Sequence, residues 1–536
     1  MLRWVRWASL GLICALGGLP IACSEAAKPE KSIARVPGSP ASEVERLALA
    51  QGVDTPAQDA CPYVPGTLRC YAKLRTDSGG NIVASASPNG YGPDELRSAY
   101  RVPSSGTHKG TIAIINAYDS PSAESDLATY REQFGLPPCT TDNGCFTKVN
   151  QVGAPSPLPK SRHAGWASEI ALDLDMASAI CPDCKLLLVL GTTPTLDDLG
   201  TAVNTAVRMG ADVVSNSYGG TEADEEADAG PDELRKADQL YYSNHPGVAI
   251  FAASGDWAYK EGTSFPASGQ NVIGVGGTRL VRSSLGSRGW EEVAWAHAGS
   301  GCSTRIAKPS WANDGPDCPN KTVADVSAVS DPGTGVAVYD TFGGGDAGWM
   351  VIGGTSAATP IVAAIFVLAG KSKANGAFIW KNTERFYDVV GGDNGSGAPE
   401  GGISCTAGGN SYLCNAMIGF DGPTGWGSPN TVALLDATLD DAGTPPVDAG
   451  SADSGATPDA SSSDAAVVVP PLMDASFGSA KNDASSAHPT GPNGASGGGN
   501  SGCSLAIASR EDSPTGGVLF AMMGILAAWS RRKLLR

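Results

Sequence analysis

The chain has 536 residues and a net charge of −18 at pH 7, with 37 Lys and Arg against 55 Asp and Glu. That balance argues against a nucleic-acid partner and leaves no polybasic patch for an anionic membrane surface. The length exceeds one ordinary domain, but 69 Gly and 37 Pro warn that part of it is not packed. Ten of the thirteen cysteines are close neighbours along the chain: Cys61 and Cys70, Cys139 and Cys145, Cys181 and Cys184, Cys302 and Cys318, Cys405 and Cys414. Such local pairs read as disulfide staples of an exported protein. Cys181-Pro-Asp-Cys184 also has the form of a redox or zinc half-site, but no second Cys-x-x-Cys or His cluster completes a metal site.

In chain order, residues 1–23 carry Arg3 and Arg6, an apolar run to Leu19 and small residues before Cys23, the pattern of a secretory signal. Leu19-Pro20-Ile21-Ala22-Cys23 partly resembles a lipoprotein processing site, with Pro20 a poor match. Residues 24–87 read as a short, polar N-terminal or pro region holding a small Cys61–Cys70 loop. A buried strand is predicted in the β-branched run Gly110–Tyr118. Helical spacing recurs over Ser122–Phe134, Gly165–Ile180 and Asp197–Met209. Strands are predicted at Leu186–Leu190, Ala211–Gly219, Val248–Asp256 and Val272–Gly277. This alternation predicts an α/β fold, a mostly parallel sheet with helices on both faces and its site at the carboxyl ends of the strands. Residues 433–502 are an Ala, Ser, Asp, Gly and Pro stretch with the composition of a disordered linker. Residues 503–536 hold Cys503, an apolar stretch near Gly516–Trp529 that is short for a membrane span, and Arg531-Arg532-Lys533.

The chemistry centres on Gly353-Gly354-Thr355-Ser356-Ala357-Ala358-Thr359-Pro360, which runs into the apolar Ile361–Ala369. Two glycines permit a tight turn and close approach of a ligand, and Pro360, tolerated in a first turn, predicts a helix starting near Ser356. A serine there meets unpaired N–H groups and the positive end of the helix dipole, which suits a nucleophile that generates an oxyanion. Taken alone, Ser356 also reads as an ordinary N-cap. The nucleophile needs a base. Of the five histidines, His163 comes nearest in the chain, in a polar loop that suggests a surface residue. Glu169 and Asp173 instead share one face of the following helix, amid Ile170, Ala171, Leu172, Leu174 and Met176. Paired carboxyls among apolar residues tend to hold one proton between them.

The octapeptide resembles the nucleophile motif of subtilisin-like serine peptidases. Its doubled glycine and Ala-Ala-Thr-Pro ending are more similar to the sedolisins, the serine-carboxyl peptidases. Glu-Ile-Ala-Leu-Asp-Leu-Asp resembles the sedolisin Glu-x-x-x-Asp motif, which implies that Glu169 takes the Ser356 proton and Asp173 orients Glu169. Subtilisins place an aspartate where this chain has Asn116, so a hidden Asp-His-Ser triad is the weaker reading. Asp256, in Ala252–Asp256, matches the sedolisin oxyanion aspartic acid, although the usual Gly-Asp-Ser-Gly becomes Gly-Asp-Trp-Ala. The need for protonated carboxyls implies an acidic pH optimum. Ser215, Asn216, Ser217 and Tyr218 resemble the edge segment that binds the substrate backbone. Asp388, Val389, Met417, Gly419 and Asp421 resemble the two halves of a calcium (Ca2+) site, with Met417 in place of the usual glycine. Gly90–Tyr100 resembles the start of the sedolisin catalytic domain, and less chain precedes it than the large folded propeptide of that family needs. The tail resembles a myxobacterial-type C-terminal sorting signal, with a plain tail anchor as the alternative.

The resemblance covers about residues 88–432. It implies an exported, extracellular or cell-surface monomeric endopeptidase acting on polypeptides, attached to the outer surface by its terminal segments. The competing reading is a catalytically silent surface protein of the same fold that binds peptides.

Overall fold

The computed structural model describes residues 56–223, 232–315, 317–342, 348–395, 402–405 and 409–437. The signal-like residues 1–23 with Cys14 and Cys23, the linker beyond residue 437 and the 503–536 tail with Cys503 lie outside them.

Three short strands come first: β1 (Ala57–Asp59), β2 (Arg69–Cys70) and β3 (Lys73–Arg75). There follow α1 (Pro93–Ala99), β4 (Thr111–Ala117), α2 (Ala123–Gln133), β5 (Phe146–Asn150), α3 (Ala164–Ile180) and β6 (Lys185–Gly191). Next are α4 (Leu196–Arg208), β7 (Val213–Asn216), β8 (Tyr218–Thr221), α5 (Glu233–Ala237), β9 (Ala249–Ala253), β10 (Ser264–Phe265), β11 (Ile273–Arg282) and β12 (Trp290–Ala294). Then come β13 (Gly301–Ala307), β14 (Asn320–Val323), β15 (Val326–Val329), β16 (Val336–Asp340) and β17 (Gly348–Gly353). The last are α6 (Thr355–Leu368), α7 (Gly376–Lys381), β18 (Phe386–Tyr387), β19 (Ser428–Pro429) and α8 (Thr431–Leu435).

The central sheet runs β12-β11-β9-β7-β4-β6-β5, with β15 also paired to β11. Its pairings are parallel except β11 with β12. Its inner strands are continuous apolar runs because helices cover them: α4 packs on β4 and β6, and α6 on β7, β9, β11 and β15. The predicted α/β architecture, a mostly parallel sheet dressed with helices, is the observed one. Local signals start the helices where expected. Thr195 caps α4 by accepting the Asp198 N–H, and the half-buried His163 caps α3 through Nδ1, 3.4 Å from the Trp166 nitrogen.

Three differences from the sequence reading bear on the site. The stretch Ala211–Gly219 is not one strand: it leaves the central sheet after Asn216 and restarts as β8. Pro360 lies beyond the first turn of α6, so Ser356 lacks the amide donor four residues on. The Ser217 hydroxyl lies 3.4 Å from the Ser356 carbonyl, but its one proton goes to Asp173 at 2.6 Å. The N-terminal region is also no separate polar segment. Residues 57–75 form a strap: β3 pairs with β17, β2 pairs with β8, and Leu68, Cys70, Tyr71 and Ala72 are buried. At the far end α8 runs past the expected boundary at 432, and Lys371 donates to the Ala437 carbonyl at 2.6 Å. All five local disulfides form.

Candidate active site

Four elements converge on one point. Strand β17 ends at Gly353, and Gly354 turns the chain at φ 93° so that α6 starts with Thr355 and Ser356. A side chain at 354 would put its Cβ 1.9 Å from the Tyr71 carbonyl oxygen and 2.5 Å from Asp256 Oδ2, so only glycine fits. Helix α3 packs against α6 and brings Glu169 and Asp173 to the same place. Strand β9 delivers Asp256 just past its carboxyl end, and the crossover after β7 delivers Ser217. Glu169, Asp173, Asp256 and Ser356 are all fully buried.

Burial and hydrogen bonding divide the labour among the carboxyls. Asp173 accepts from Asn116 Nδ2 at 2.8 Å and from Ser217 Oγ at 2.6 Å. Burial raises its pKa and these two donors oppose the rise. Glu169 has no donor at full hydrogen-bond geometry on either oxygen. Burial, then the neighbouring Asp173 charge, push it well up. The Ser356 hydroxyl and the Ala72 N–H face it closely enough to oppose that rise without making a full bond. The two buried carboxyls are thus held unequally, Asp173 by two donors and Glu169 by none at full geometry.

Asp256 Oδ1 accepts from the Thr355 amide at 2.8 Å and from Thr355 Oγ1 at 2.9 Å, while its buried Oδ2 has no partner. Burial pushes this carboxyl up to about 7, against the Lys73 charge and the Thr355 donors. That Oδ2 lies against the Gly354 turn that leads into Ser356. Ser356 Oγ rests on the Ser217 carbonyl at 3.0 Å, so a rotation about its side chain is needed to offer its proton to Glu169.

Of the expected substrate-binding residues, Ser217 and Tyr218 border the site. The Ser217 carbonyl accepts the Tyr71 N–H at 3.2 Å and Tyr218 pairs with Cys70. The expectation for Ser215 and Asn216 needs correcting. Their backbones are consumed by the central sheet, paired with β4 and β9, and the Asn216 side chain bonds the Phe251 carbonyl. Ser217–Thr221 leaves the central sheet, and its strand β8 pairs with β2 on one side and β10 on the other. The sequence reading missed the Asn116 amide and the Ser217 hydroxyl as the groups that hold Asp173. Asn116 closes β4 at a sheet carboxyl end, a position that points to a site even without the expected aspartate.

Asp388 and Asp421 also come together: Asp388 Oδ2 accepts the Gly419 N–H at 2.9 Å and Asp421 Oδ2 the Met417 N–H at 3.0 Å. Asp421 is pushed well up by burial, and the Asp388 charge adds to the rise. Among the described backbone hydrogen bonds, none ends on the carbonyl of Val389, Met417 or Gly419. Two adjacent carboxyls and three free carbonyls suit an oxygen-liganded cation. Among the described residues no group of three or more His, Cys, Asp or Glu is placed to hold a metal.

The subtilase family model matches residues 159–387. Kumamolisin of Bacillus sp. (strain MN-32) is 29% identical over 443 residues, covering 76% of this chain and 72% of that protein. Sedolisin of Pseudomonas sp. (strain 101) is 27% identical over 408 residues, covering 68% of this chain and 63% of its own length. The solved Pseudomonas sedolisin, a serine-carboxyl proteinase complexed with two molecules of pseudo-iodotyrostatin, superposes with a TM-score of 0.52 at 25% identity. The match covers 65% of this chain and 98% of that one. The chain is a serine-type peptidase of subtilisin-like fold. The relatives support the sedolisin family. In this peptidase no histidine side chain enters the site hydrogen bonds given above, and the nearest in sequence, His163, is the cap of α3.

Proposed function

We propose that this peptidase is an exported, acid-active serine-carboxyl endopeptidase that cleaves polypeptides through an acyl-ester on Ser356. The observation that carries the reading is a buried Glu169 without full donors beside Ser356, with Asp256 Oδ2 unpartnered on the other side. Glu169 accepts the Ser356 proton and returns it to the leaving nitrogen. Asp173, held by Asn116 and Ser217, orients Glu169 and shares its charge. The oxyanion sits between the Ser356 N–H and the Asp256 carboxylic acid, which has to be protonated; this favours acid pH.

A calcium ion held by Asp388 and Asp421 with the carbonyls of Val389, Met417 and Gly419 would fix the 417–421 loop and supply no chemistry to the reaction. The local disulfides favour an oxidising, extracellular or cell-surface location. Attachment by the terminal segments rests on their sequence alone. Among the described residues no helix is long and apolar enough to cross a membrane.

The test is hydrolysis of casein between about pH 3 and pH 8 by wild type, Ser356→Ala and Glu169→Gln. Acid-peaked activity is expected, with each variant losing at least about 100-fold. Activity that peaks at neutral pH and survives Glu169→Gln would send the search back to a histidine base.

A further inference from the structure

The strap holds an extended polypeptide in the cleft, and its register shows which side chains the site can read. The Tyr71 carbonyl accepts the Ser356 N–H at 3.3 Å, and the Tyr71 N–H donates to the Ser217 carbonyl at 3.2 Å. Arg69 and Cys70 pair antiparallel with Gly219 and Tyr218. Backbone pairing of this kind grips any sequence, so selectivity has to come from what meets the alternate side chains, which share a face in an extended chain. Arg69, Tyr71 and Lys73 have one neighbour in common, the indole of Trp257. The Arg69 guanidinium lies over its ring 3.1 Å from the centroid, Lys73 Nζ lies 4.6 Å from it, and the Tyr71 ring meets it edge-on. The two cations are not equivalent. Lys73 also pairs with Asp59, another residue of the strap, and the second ring on Arg69, that of Tyr63 at 5.4 Å, is the strap's own as well. Trp257 belongs to the catalytic body, one residue after Asp256.

We propose that Trp257 makes this peptidase selective for polypeptides with an arginine at the third residue before the cut; this rests on the catalytic role of Ser356 given above. A substrate in the register of the strap presents its attacked carbonyl to Ser356, and its third residue back falls where Arg69 lies. The face of an indole attracts a cation through the ring quadrupole, more strongly as water is excluded, and a planar guanidinium also stacks on it. The choice of group suits an acid-active enzyme. A carboxylate loses its hold on a cation as it takes a proton near its ordinary pKa of about 4. An indole has no proton to gain there, and the arginine stays charged. The small serine of Gly-Asp-Ser-Gly offers no ring, so the selectivity belongs to the one residue by which this chain departs most from that pattern.

The experiment compares kcat/KM on two peptides, Leu-Arg-Ser-Tyr-Ala-Lys and the same sequence with uncharged citrulline for Arg, with mass spectrometry locating the cut after Tyr. The enzyme is used in the form that hydrolyses casein. Wild type should favour the Arg peptide by about 10-fold, and by the same factor at about pH 3 and about pH 5. Trp257→Ser should bring the ratio to within about twofold, and Trp257→Phe, with a weaker ring, should leave it in between. A ratio taken within one protein is blind to any general damage from the substitution. A wild-type ratio within about twofold, a ratio that survives Trp257→Ser or is undiminished in Trp257→Phe, or one that collapses below about pH 4 as a carboxylate protonates, overturns the proposal and leaves the peptidase reading in place. So does a wild type that hydrolyses casein but cuts neither peptide after Tyr. A wild type that cuts neither casein nor the peptides overturns the catalytic reading and this proposal with it.

Discussion

Asp256 makes the sharpest demand on the mechanism, because it acts only as an acid. With its pKa pushed to about 7 by burial, the fraction able to donate falls tenfold for each pH unit above that value. That figure belongs to the site with the strap in place. Water entering a cleared cleft lowers the cost of charging Asp256, so the alkaline limb of kcat/KM should fall at or below about 7. Asp256→Ala removes one oxyanion donor and should cost about 100- to 1,000-fold in kcat, or about 2.7–4 kcal/mol. Asp256→Asn is the informative variant. Its Oδ1 can still accept from the Thr355 amide and hydroxyl, which leaves Nδ2 where Oδ2 now lies unpartnered. An amide donates at every pH. The variant should therefore keep part of the activity while the alkaline limb disappears. The assay is kcat/KM against pH on a short peptide for the three proteins. An Asn variant with the wild-type alkaline limb, or an Ala variant within threefold of wild type, would refute the assignment.

Three further outcomes are expected. Asn116→Ala removes one of the two donors on Asp173 and should raise the pH at which the carboxyl pair takes its second proton by about one unit; the acid limb of the same profile reads it. Folding stability should fall as pH rises, because Glu169, Asp173, Asp175 and Asp256 all have raised pKa values in the folded state. The unfolded chain ionises these groups first, so their contribution is complete below about 4 and lost towards 7, amounting to about 4 kcal/mol for Asp256 alone. Thermal melts of Ser356→Ala from acid to neutral pH measure this. Calcium removal should lower the melting temperature more at neutral than at acid pH, since the ion needs Asp421 ionised; chelator titrations at both pH values, with Asp388→Ala as control, check it.

The parallel sheet was legible because its strands are short, continuous apolar runs separated by helical spacing. The carboxyl pair was legible because Glu169 and Asp173 recur at four residues among apolar neighbours. What depends on tertiary contact was not. Nothing local says that the chain leaves the sheet after Asn216, since the Ser-Asn-Ser-Tyr-Gly run is uniformly compatible with a strand. The first-turn rule for proline places Pro360 too early in α6, because the helix already begins at Thr355 on the Gly354 turn. The strap was hidden for a similar reason. Its apolar residues follow no strand or helix period, and Ala60, Cys61, Leu68, Leu74 and Cys70 to Ala72 are buried through tertiary contact. A cysteine pair closing immediately before an isolated Tyr-Ala was the signal available.

The Trp257 departure from the Gly-Asp-Ser-Gly pattern finds its physical reason in the same contacts. A strap of this size gains little from area, so it needs local anchors that fix both sides of Tyr71. Trp257 supplies several. The Arg69 guanidinium lies over its ring 3.1 Å from the centroid, Lys73 Nζ lies 4.6 Å from it, and its indole N–H reaches Asp59 Oδ2 at 3.3 Å. With the Tyr71 ring on its edge, one side chain thus touches residues before, at and after the bond held at Ser356. A small residue there would remove these contacts together and leave the part-buried Asp59–Lys73 pair to link the strap's two halves. The same tryptophan follows Asp256 directly in the chain, so the strap's anchor and the buried acid are built on adjacent residues.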